Sequence, residues 1–176
     1  LAGPEIRVRR ATAGERVRTL DGVERTLQPE MLTIADAEPS QAVAGVMGGA
    51  DSEVGDTTRT ILLEAAYFNP ISIRRTNKRL VLSTDASFRF ERGADVSAPV
   101  TAIARARHLL AATGAGHPRG AAVDCFPAPP EPIVVRLPHQ RICHPLGQTV
   151  HPAAVSPTLT RFGFAPRMET EGEHPT

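Results

Sequence analysis

Hydrophobic and polar residues alternate along the first part of the chain. Ile6 and Val8 lie between charged neighbours, which is the two-residue period of a half-exposed strand. Two more alternating runs flank Asp21 and Gly22, a pair that favours a type I′ hairpin turn because both central residues of that turn need a positive φ. The pattern predicts an opening strand followed by a β-hairpin.

Further short apolar runs follow the hairpin. Residues 31–36 and 41–47 each have the length and composition of a strand. The run 60–66 is apolar and short enough to be a strand that is buried on both faces. We therefore expect the first 66 residues to be mostly β-structure.

Helices are predicted after this β-rich part. Asn69 can cap a helix that begins with Pro70, the residue best tolerated at the first helical position. A second helix is expected to begin near Ser97 and to stop at Gly114. Its apolar spacing predicts five buried residues: Val100, Ile103, Ala104, Leu110 and Ala111.

A proline-rich stretch divides the chain. Residues 126–132 contain four prolines in seven positions, which favours an extended linker between a first domain, 1–125, and a second part, 133–176. In the second part we expect a strand over 133–137 and then two helices, the second of which ends at Gly163 and is followed by a frayed end. So short a part is expected to have little core of its own.

Composition limits the classes of function. The 176 residues are 41% hydrophobic and 22% charged with a net charge of +1, so no global field attracts a polyanion. Cys125 and Cys143 fit neither a zinc site nor a disulfide framework by their spacing. The chain has no apolar run of about 18 residues and no signal peptide, which favours the cytoplasm and no membrane partner.

The histidines predict no catalytic or metal site. No catalytic triad can be assembled from them, and none has the spacing of metal ligands. We expect exposed or helix-capping roles for all six: His108, His117, His139, His144, His151 and His174.

Two features of the β-rich part could carry chemistry. Gly45, Gly48 and Gly49 let a ligand or another backbone approach the main chain, although a bulge or tight packing turn explains them equally. Glu64 places a carboxylate inside an apolar run, where it is costly unless it is paired. Either an ion pair with a nearby arginine or a ligand contact would explain it.

Basic residues concentrate in the stretch 71–92, which holds six of them against two acids. Arg74, Arg75, Lys78 and Arg79 recur at helical spacing, and the arginine fork matches phosphate oxygens. Such a run is either a solvated helix face or a contact to an RNA backbone.

Residues 83–93, STDASFRFERG, mix hydroxyls, acids, arginines and phenylalanines. If they form a strand, Ala86, Phe88 and Phe90 share one face, and the two aromatic rings belong to the core. The other face would be a polar ladder, such as a surface salt-bridge network, of Ser87, Arg89 and Glu91. Thr84 precedes this ladder and offers a hydroxyl beside the small Ala86, which leaves room for a ligand.

The order of these segments resembles the bacterial phenylalanyl-tRNA synthetase β subunit. Residues 5–125 are similar to its B3/B4 domain, most specifically in LLEAAYFNPISIRRT and STDASFRFERG, and the remainder resembles the opening of its B5 domain. The resemblance implies an α+β fold. It consists of a β-rich, layered β/α domain with two main helices, followed by a truncated small α+β domain of the B5 type.

The same resemblance implies a parent enzyme with known partners. In that family two α and two β chains form a heterotetramer that attaches phenylalanine to tRNA-Phe with ATP and Mg²⁺, and the aminoacylation site lies in the α subunit. The implied partners are the α subunit and tRNA-Phe. ATP and Mg²⁺ are implied for the parent enzyme, and no cofactor or metal is implied for this chain.

In this family the B3/B4 domain hydrolyses tyrosine that has been wrongly attached to tRNA-Phe. The resemblance implies that Gly45 and Gly48 line the editing pocket and that Thr84 and Ala86 form its far wall. Glu64 would accept a hydrogen bond from the tyrosine phenol, whereas phenylalanine would leave the carboxylate unsatisfied. A positioned water would cleave the ester.

Relatives in the family carry a segment similar to GQPMHAFD immediately before the point where this chain opens, and it supplies a histidine to the editing site. We therefore expect the chain to be an internal piece of a longer protein and to be inactive when isolated. The alternative function is a non-catalytic RNA-binding or scaffolding module, whose phosphate contacts would be Arg74, Arg75, Lys78 and Arg79.

Overall fold

In the computed structural model of the chain, residues 3–37 and 39–169 are described. They belong to two compact units, Leu1–Asp124 and Cys125–Thr176. His174 and the last part of the predicted frayed end lie outside the described residues. The described residues combine a small antiparallel sheet with helices, which confirms the α+β class. The B5-type identity of the second unit stays a prediction.

The described residues of the first unit form six strands. They are β1 (Arg7–Arg10), β2 (Arg16–Arg18), β3 (Glu24–Thr26), β4 (Leu32–Ala35), β5 (Ser40–Val43) and β6 (Met47–Gly48). Four of them form an antiparallel sheet in the order β1-β4-β5-β6, while β2 and β3 form a separate hairpin. The predicted opening strand is confirmed, and Val8 pairs with Ile34 in β4. The run predicted as one strand over 41–47 turns back on itself to form β5 and β6.

The hairpin is confirmed, but its predicted type I′ turn is wrong. Gly22 has a φ of +78°, whereas Asp21 does not have a positive φ. The Gly22 amide donates to the Thr19 carbonyl at 2.8 Å, and the Thr19 amide donates to the Val23 carbonyl at 3.1 Å. This pattern matches a three-residue loop in which a type I turn precedes a left-handed glycine. The Asp21 carboxylate accepts hydrogen bonds from the side chains of Thr19 and Arg25, which hold the turn.

Helices follow the sheet. The first unit contains α1 (Pro70–Leu80), α2 (Asp85–Phe90) and α3 (Ala98–Ala112), and the second contains α4 (His139–Leu146) and α5 (Pro152–Arg161). The predicted cap of α1 is confirmed, because the Asn69 side chain accepts from the amides of Ile71 and Ser72 at 3.0 and 3.1 Å. The predicted stops of α3 and α5 are also confirmed, since Gly114 and Gly163 follow them with φ values of +71° and +86°.

The core lies between the sheet, the hairpin and α1. Its buried members are Ala11, Val17, Leu27, Met31, Ile34, Val43, Ala44, Val46, Phe68 and Ile73. Phe68 also contacts Phe90 edge to face, with ring centroids 5.0 Å apart, which is a favourable aromatic geometry. This contact joins the segment before α1 to the end of α2.

The buried strand predicted over 60–66 is wrong. These residues form no strand, and the side chain of Leu62 is 65% exposed. The strand predicted over 133–137 is also wrong, because Ile133 is 93% exposed and unpaired. A strand exists only where a second segment completes its hydrogen bonds, and no described segment pairs with either run. Apolar composition shows that a segment can form a strand, but it does not show whether a second strand pairs with that segment.

The predicted burial of α3 is wrong as well. Ile103 and Leu110 are half-buried, whereas Val100, Ala104 and Ala111 are exposed. Helical spacing predicts which residues share a face, but burial of that face requires another element to pack on it.

Candidate functional site

The first predicted site feature is the glycine-rich turn between β5 and β6. The Val46 amide donates to the Val43 carbonyl at 3.0 Å across a tight turn, and Gly45 has a φ of +68° within it. A Cβ atom at Gly45 would lie 2.7 Å from Phe68 Cδ2 and 2.8 Å from Ile73 Cδ1. Glycine is therefore required here both by the backbone conformation and by the core that packs against it.

The next two glycines lie where the β2–β3 hairpin meets β6. The Leu20 amide donates to the Gly48 carbonyl at 3.0 Å, and the Gly49 amide donates to the Gln41 carbonyl at 2.7 Å. A Cβ atom at Gly49 would lie 2.6 Å from the Gln41 carbonyl oxygen, whereas one at Gly48 would meet Leu20 Cδ1 at 3.2 Å. A side chain is therefore excluded more strictly at Gly49 than at Gly48. Gly49 was not among the predicted pocket residues.

Thr84 connects this turn to α2. Its hydroxyl donates to the Val46 carbonyl at 2.7 Å and accepts from the Ser87 amide at 3.1 Å. The Ser87 hydroxyl accepts from the Thr84 amide at 2.9 Å, which completes a reciprocal capping box. Two of the predicted features, the glycine turn and Thr84, are therefore in direct contact through Val46.

The strand predicted for residues 83–93 is wrong, and so is its polar ladder. The capping box begins a helix, so Ser87 is fully buried and Phe90 packs on the core, while Ala86 and Phe88 are exposed. Ser87 completes the cap with Thr84, a role that the sequence analysis did not predict. The signal was present, because hydroxyl residues three positions apart can cap a helix reciprocally.

Glu64 has no hydrogen bond or ion pair to another described residue, so of the two explanations that the sequence left open, the ion pair with a nearby arginine is wrong. Its side chain keeps exposed surface, but burial among protein atoms raises the pKa of the carboxyl above its ordinary range. Removal of water disfavours the charged form of a carboxyl, and here no donor offsets that cost. The carboxyl therefore keeps hydrogen-bond acceptor sites that no described residue uses.

The predicted basic patch lies on the outward side of α1, where the four side chains differ in their contacts. Arg74 donates to the Glu91 carbonyl at 3.0 Å, and Arg79 pairs with the Glu30 carboxylate. Arg75 and Lys78 are exposed and make no hydrogen bond or ion pair with a described residue. Two of the four cations are therefore available to an external anion.

The histidines that are described have structural contacts or lie exposed. His151 caps α5 by accepting from the Ala153 amide at 3.2 Å, and His139 Nε2 lies 2.7 Å from the Val150 carbonyl. The described residues contain no group of three or more His, Cys, Asp or Glu side chains that could hold a metal ion. Within the same residues, no helix is both long and apolar enough to cross a bilayer.

Comparisons with known proteins agree on one family. Residues 1–115 match the model of the B3/4 domain. The phenylalanine–tRNA ligase beta subunit of Moorella thermoacetica is 43% identical over 175 residues, which are 99% of this chain and 21% of the relative. The subunit of Geobacter metallireducens is 55% identical over 129 residues, 73% of this chain and 16% of the relative. The subunit of Carboxydothermus hydrogenoformans is 44% identical over 164 residues, which are 93% of this chain and 21% of the relative.

The matches reach beyond the first unit. The alignment with the Moorella protein includes nearly every residue of both units, and the chain spans about a fifth of the length of that relative. The glycine turn, Glu64 and the Thr84 cap all lie within the part matched by the family model. This chain therefore belongs to the phenylalanine–tRNA ligase beta subunit family and contains its B3/4 domain.

Proposed function

We propose that the first unit is an editing site that hydrolyses tyrosine wrongly attached to tRNA-Phe. The observation that carries this proposal is the Glu64 carboxyl, which has no partner among the described residues and whose pKa is raised by partial burial. A phenol hydroxyl would donate to this group and offset its desolvation, whereas the ring of phenylalanine has no donor. A site of this kind favours the tyrosyl ester and spares the correct product.

The contact between Thr84 and the glycine turn supports the same proposal. Ala86 is exposed and presents a single methyl group beside Thr84, so this side of the proposed pocket leaves space for an aromatic substrate. Gly45 and Gly48 would contribute backbone to the pocket, because other side chains of the unit fill the positions of their missing Cβ atoms. The 2.7 Å bond from Thr84 to Val46 holds the turn and the start of α2 together. The proposed pocket would therefore keep its width when the substrate enters.

The proposed chemistry is hydrolysis of the ester between the tyrosyl carboxyl and the terminal ribose. Water attacks the carbonyl carbon, the bond to the ribose oxygen breaks, and free tyrosine and uncharged tRNA leave. Glu64 would act by binding and orienting the phenol end, so its contribution is selectivity and position. It is a specificity residue in this proposal and does not contact the reacting atoms.

The parent protein would act with an α subunit as an α2β2 tetramer. That tetramer would attach phenylalanine to tRNA-Phe with ATP and Mg²⁺, and both cofactors would bind at the aminoacylation site of the α subunit. Editing by this chain would then follow aminoacylation on the same tRNA. Tyrosyl-tRNA-Phe, tRNA-Phe and the α subunit are the proposed substrate and partners.

The test compares Glu64→Ala and Glu64→Gln with the wild-type protein in the complete synthetase. Deacylation of tyrosyl-tRNA-Phe and of phenylalanyl-tRNA-Phe is measured for each. A hydrogen bond to a charged group is worth about 1.5–3 kcal/mol, so the Ala variant should lose roughly 10- to 150-fold of its preference for the tyrosyl ester. The matched control is Glu53→Ala, since Glu53 is another exposed carboxylate of the same region.

Equal selectivity in the wild-type protein and both Glu64 variants would contradict this proposal. The second candidate function, an RNA-binding module, would then lead, because Arg75 and Lys78 lack partners among the described residues. Binding to an RNA backbone weakens steeply with salt, whereas selectivity between two aromatic rings at Glu64 does not depend on it. Measurement of the preference for the tyrosyl ester, together with tRNA affinity, at two salt concentrations separates the two functions, because only the affinity falls with salt.

A further inference from the structure

The outward face of α2 carries an exposed aromatic ring that the proposed pocket does not use. Helical spacing places Asp85, Phe88 and Arg89 on this face, and Arg92 follows the end of the helix and contacts Phe88. Phe88 is 51% exposed, whereas Phe90 points to the core and contacts Phe68. A half-exposed phenylalanine on a short polar helix adds no packing to the core of this unit.

An arginine covers this ring. The guanidinium carbon of Arg92 lies 3.4 Å from the centroid of the Phe88 ring, which is a close cation–π contact. Arg92 Nη1 also donates to the Phe88 carbonyl at 2.8 Å and to the Glu91 carboxylate at 3.0 Å. The guanidinium plane is therefore held in position, and ring and guanidinium form a stack that is ordered before a ligand arrives.

A second cation on the same face has no partner. Arg89 is exposed and makes no side-chain hydrogen bond or ion pair with a described residue. Asp85 is the acid of this face, and it lies one turn earlier, in the first turn of α2. Because Arg92 is paired with Glu91, Arg89 is the unpaired positive charge at the end of the face that contains Phe88.

This stack lies close to the proposed pocket. The Phe88 amide donates to the Thr84 carbonyl at 2.9 Å, so Phe88 lies one helical turn, about 5.4 Å along the axis, from Thr84. Thr84 in turn bonds to Val46 in the glycine turn. A substrate whose end enters beside Thr84 would have its preceding part next to Phe88.

We infer that the outward face of α2 binds the unpaired 3′ nucleotides of an aminoacylated tRNA. An unpaired base stacks on the Phe88–Arg92 pair, and Arg89 contacts a phosphate. Aromatic rings and guanidinium planes are the surfaces on which single-stranded RNA bases stack, and cations beside them follow the backbone. The inference rests on the proposed function, because it is the editing substrate that brings a nucleotide chain to this face.

The experiment uses the complete synthetase and two substrates, tyrosyl-tRNA-Phe and tyrosine ethyl ester, the second of which has no nucleotides. Phe88→Leu removes the stacking ring, Phe88→Tyr keeps it, and Phe126→Leu is a control at a phenylalanine with similar exposure, 49%. We expect Phe88→Leu to raise KM for the tRNA substrate about tenfold, which corresponds to about 1.4 kcal/mol. We expect little change in kcat, unchanged hydrolysis of the ethyl ester, and wild-type values for Phe88→Tyr.

A charge variant tests the phosphate contact. Arg89→Gln should lower the slope of log KM against log salt for tyrosyl-tRNA-Phe by about 0.7, the value for one phosphate contact to a single strand. Arg105→Gln removes an exposed arginine from α3 and should leave the slope unchanged. An unchanged slope in Arg89→Gln would contradict the contact to Arg89.

The outcomes separate this inference from the proposed function. If Glu64→Ala loses selectivity while Phe88→Leu keeps the wild-type KM for the tRNA, the nucleotide site is wrong and the editing pocket stands. If Phe88→Leu raises that KM while Glu64→Ala keeps its selectivity, the nucleotide site stands and the role of Glu64 is wrong. Loss of α–β association in Phe88→Leu would show that the ring faces a protein partner, which also overturns the inference.

Discussion

The hydroxyl of Thr84 joins the glycine turn to α2, and a single substitution can remove it. Thr84→Val keeps the shape of the side chain but removes its oxygen. Two hydrogen bonds disappear, one that the hydroxyl donates to the Val46 carbonyl at 2.7 Å and one that it accepts from the Ser87 amide at 3.1 Å. Thr84→Ser is the matched control because it keeps the hydroxyl.

The expected cost follows from these two bonds. Loss of a helix N-cap typically lowers the stability of the helix by about 1 kcal/mol. Val46 is buried, so its carbonyl loses a donor in a place with little access to water, which adds about 1–2 kcal/mol. The sum of about 2–3 kcal/mol corresponds to a roughly 30- to 150-fold increase in the local opening constant of this region.

Hydrogen exchange in the complete β subunit measures this opening constant directly. The amides of Ser87 and Phe88 should exchange faster in Thr84→Val by the factor given above, and Thr84→Ser should exchange as the wild type does. Amides of the β1–β4 pair are an internal reference that the substitution should not affect. If the α2 amides exchange at the wild-type rate in Thr84→Val, the bond to Val46 does not stabilise α2 and does not fix the width of the proposed pocket.

Two further predictions concern the stability of the first unit. Arg9, Ser40 and Thr12 bond to Glu15 and lower its pKa to about 2, so Glu15→Gln should destabilise by about 2–3 kcal/mol at pH 7 in urea unfolding. This stabilisation is present above about pH 4.5 and lost as the pH falls through about 2, so the two proteins should converge in acid. Gly45→Ala should cost about 2 kcal/mol or more in thermal unfolding, whereas Gly55→Ala, with open space at its Cβ position, should cost almost nothing.

Local signals in the sequence predicted much of the fold. The Asn69 cap, the glycine stops after α3 and α5, and the alternation around Val8 each depend on neighbouring residues alone. Such features are predictable because the backbone groups that they hydrogen-bond lie within a few residues in the sequence. The class of the fold and the bounds of most helices were therefore accessible without a structure.

Features that depend on residues far apart in the sequence could not be predicted from it. The apolar runs at 60–66 and 133–137 have strand composition, but no described segment pairs with them. For the Glu64 carboxyl the sequence left open an ion pair with an arginine or a ligand contact, and the described residues around it supply partial burial without a donor. The contact between Thr84 and Val46 spans 38 positions in the sequence, and no local pattern predicts it. Pairing, burial and site assembly are decided by which segments meet in space.

The helical period of α2 explains why one of its two phenylalanine rings packs in the core and the other lies at the surface. Phe88 and Phe90 are two positions apart, so in a strand both rings would have pointed to the same side. In a helix they are separated by about 200°, since each residue turns the chain by about 100°. Phe90 therefore packs on Phe68 while Phe88 stacks under Arg92 at the surface. The Thr84–Ser87 capping box begins that helix, so the residue that contacts the glycine turn also sets the direction of the exposed ring.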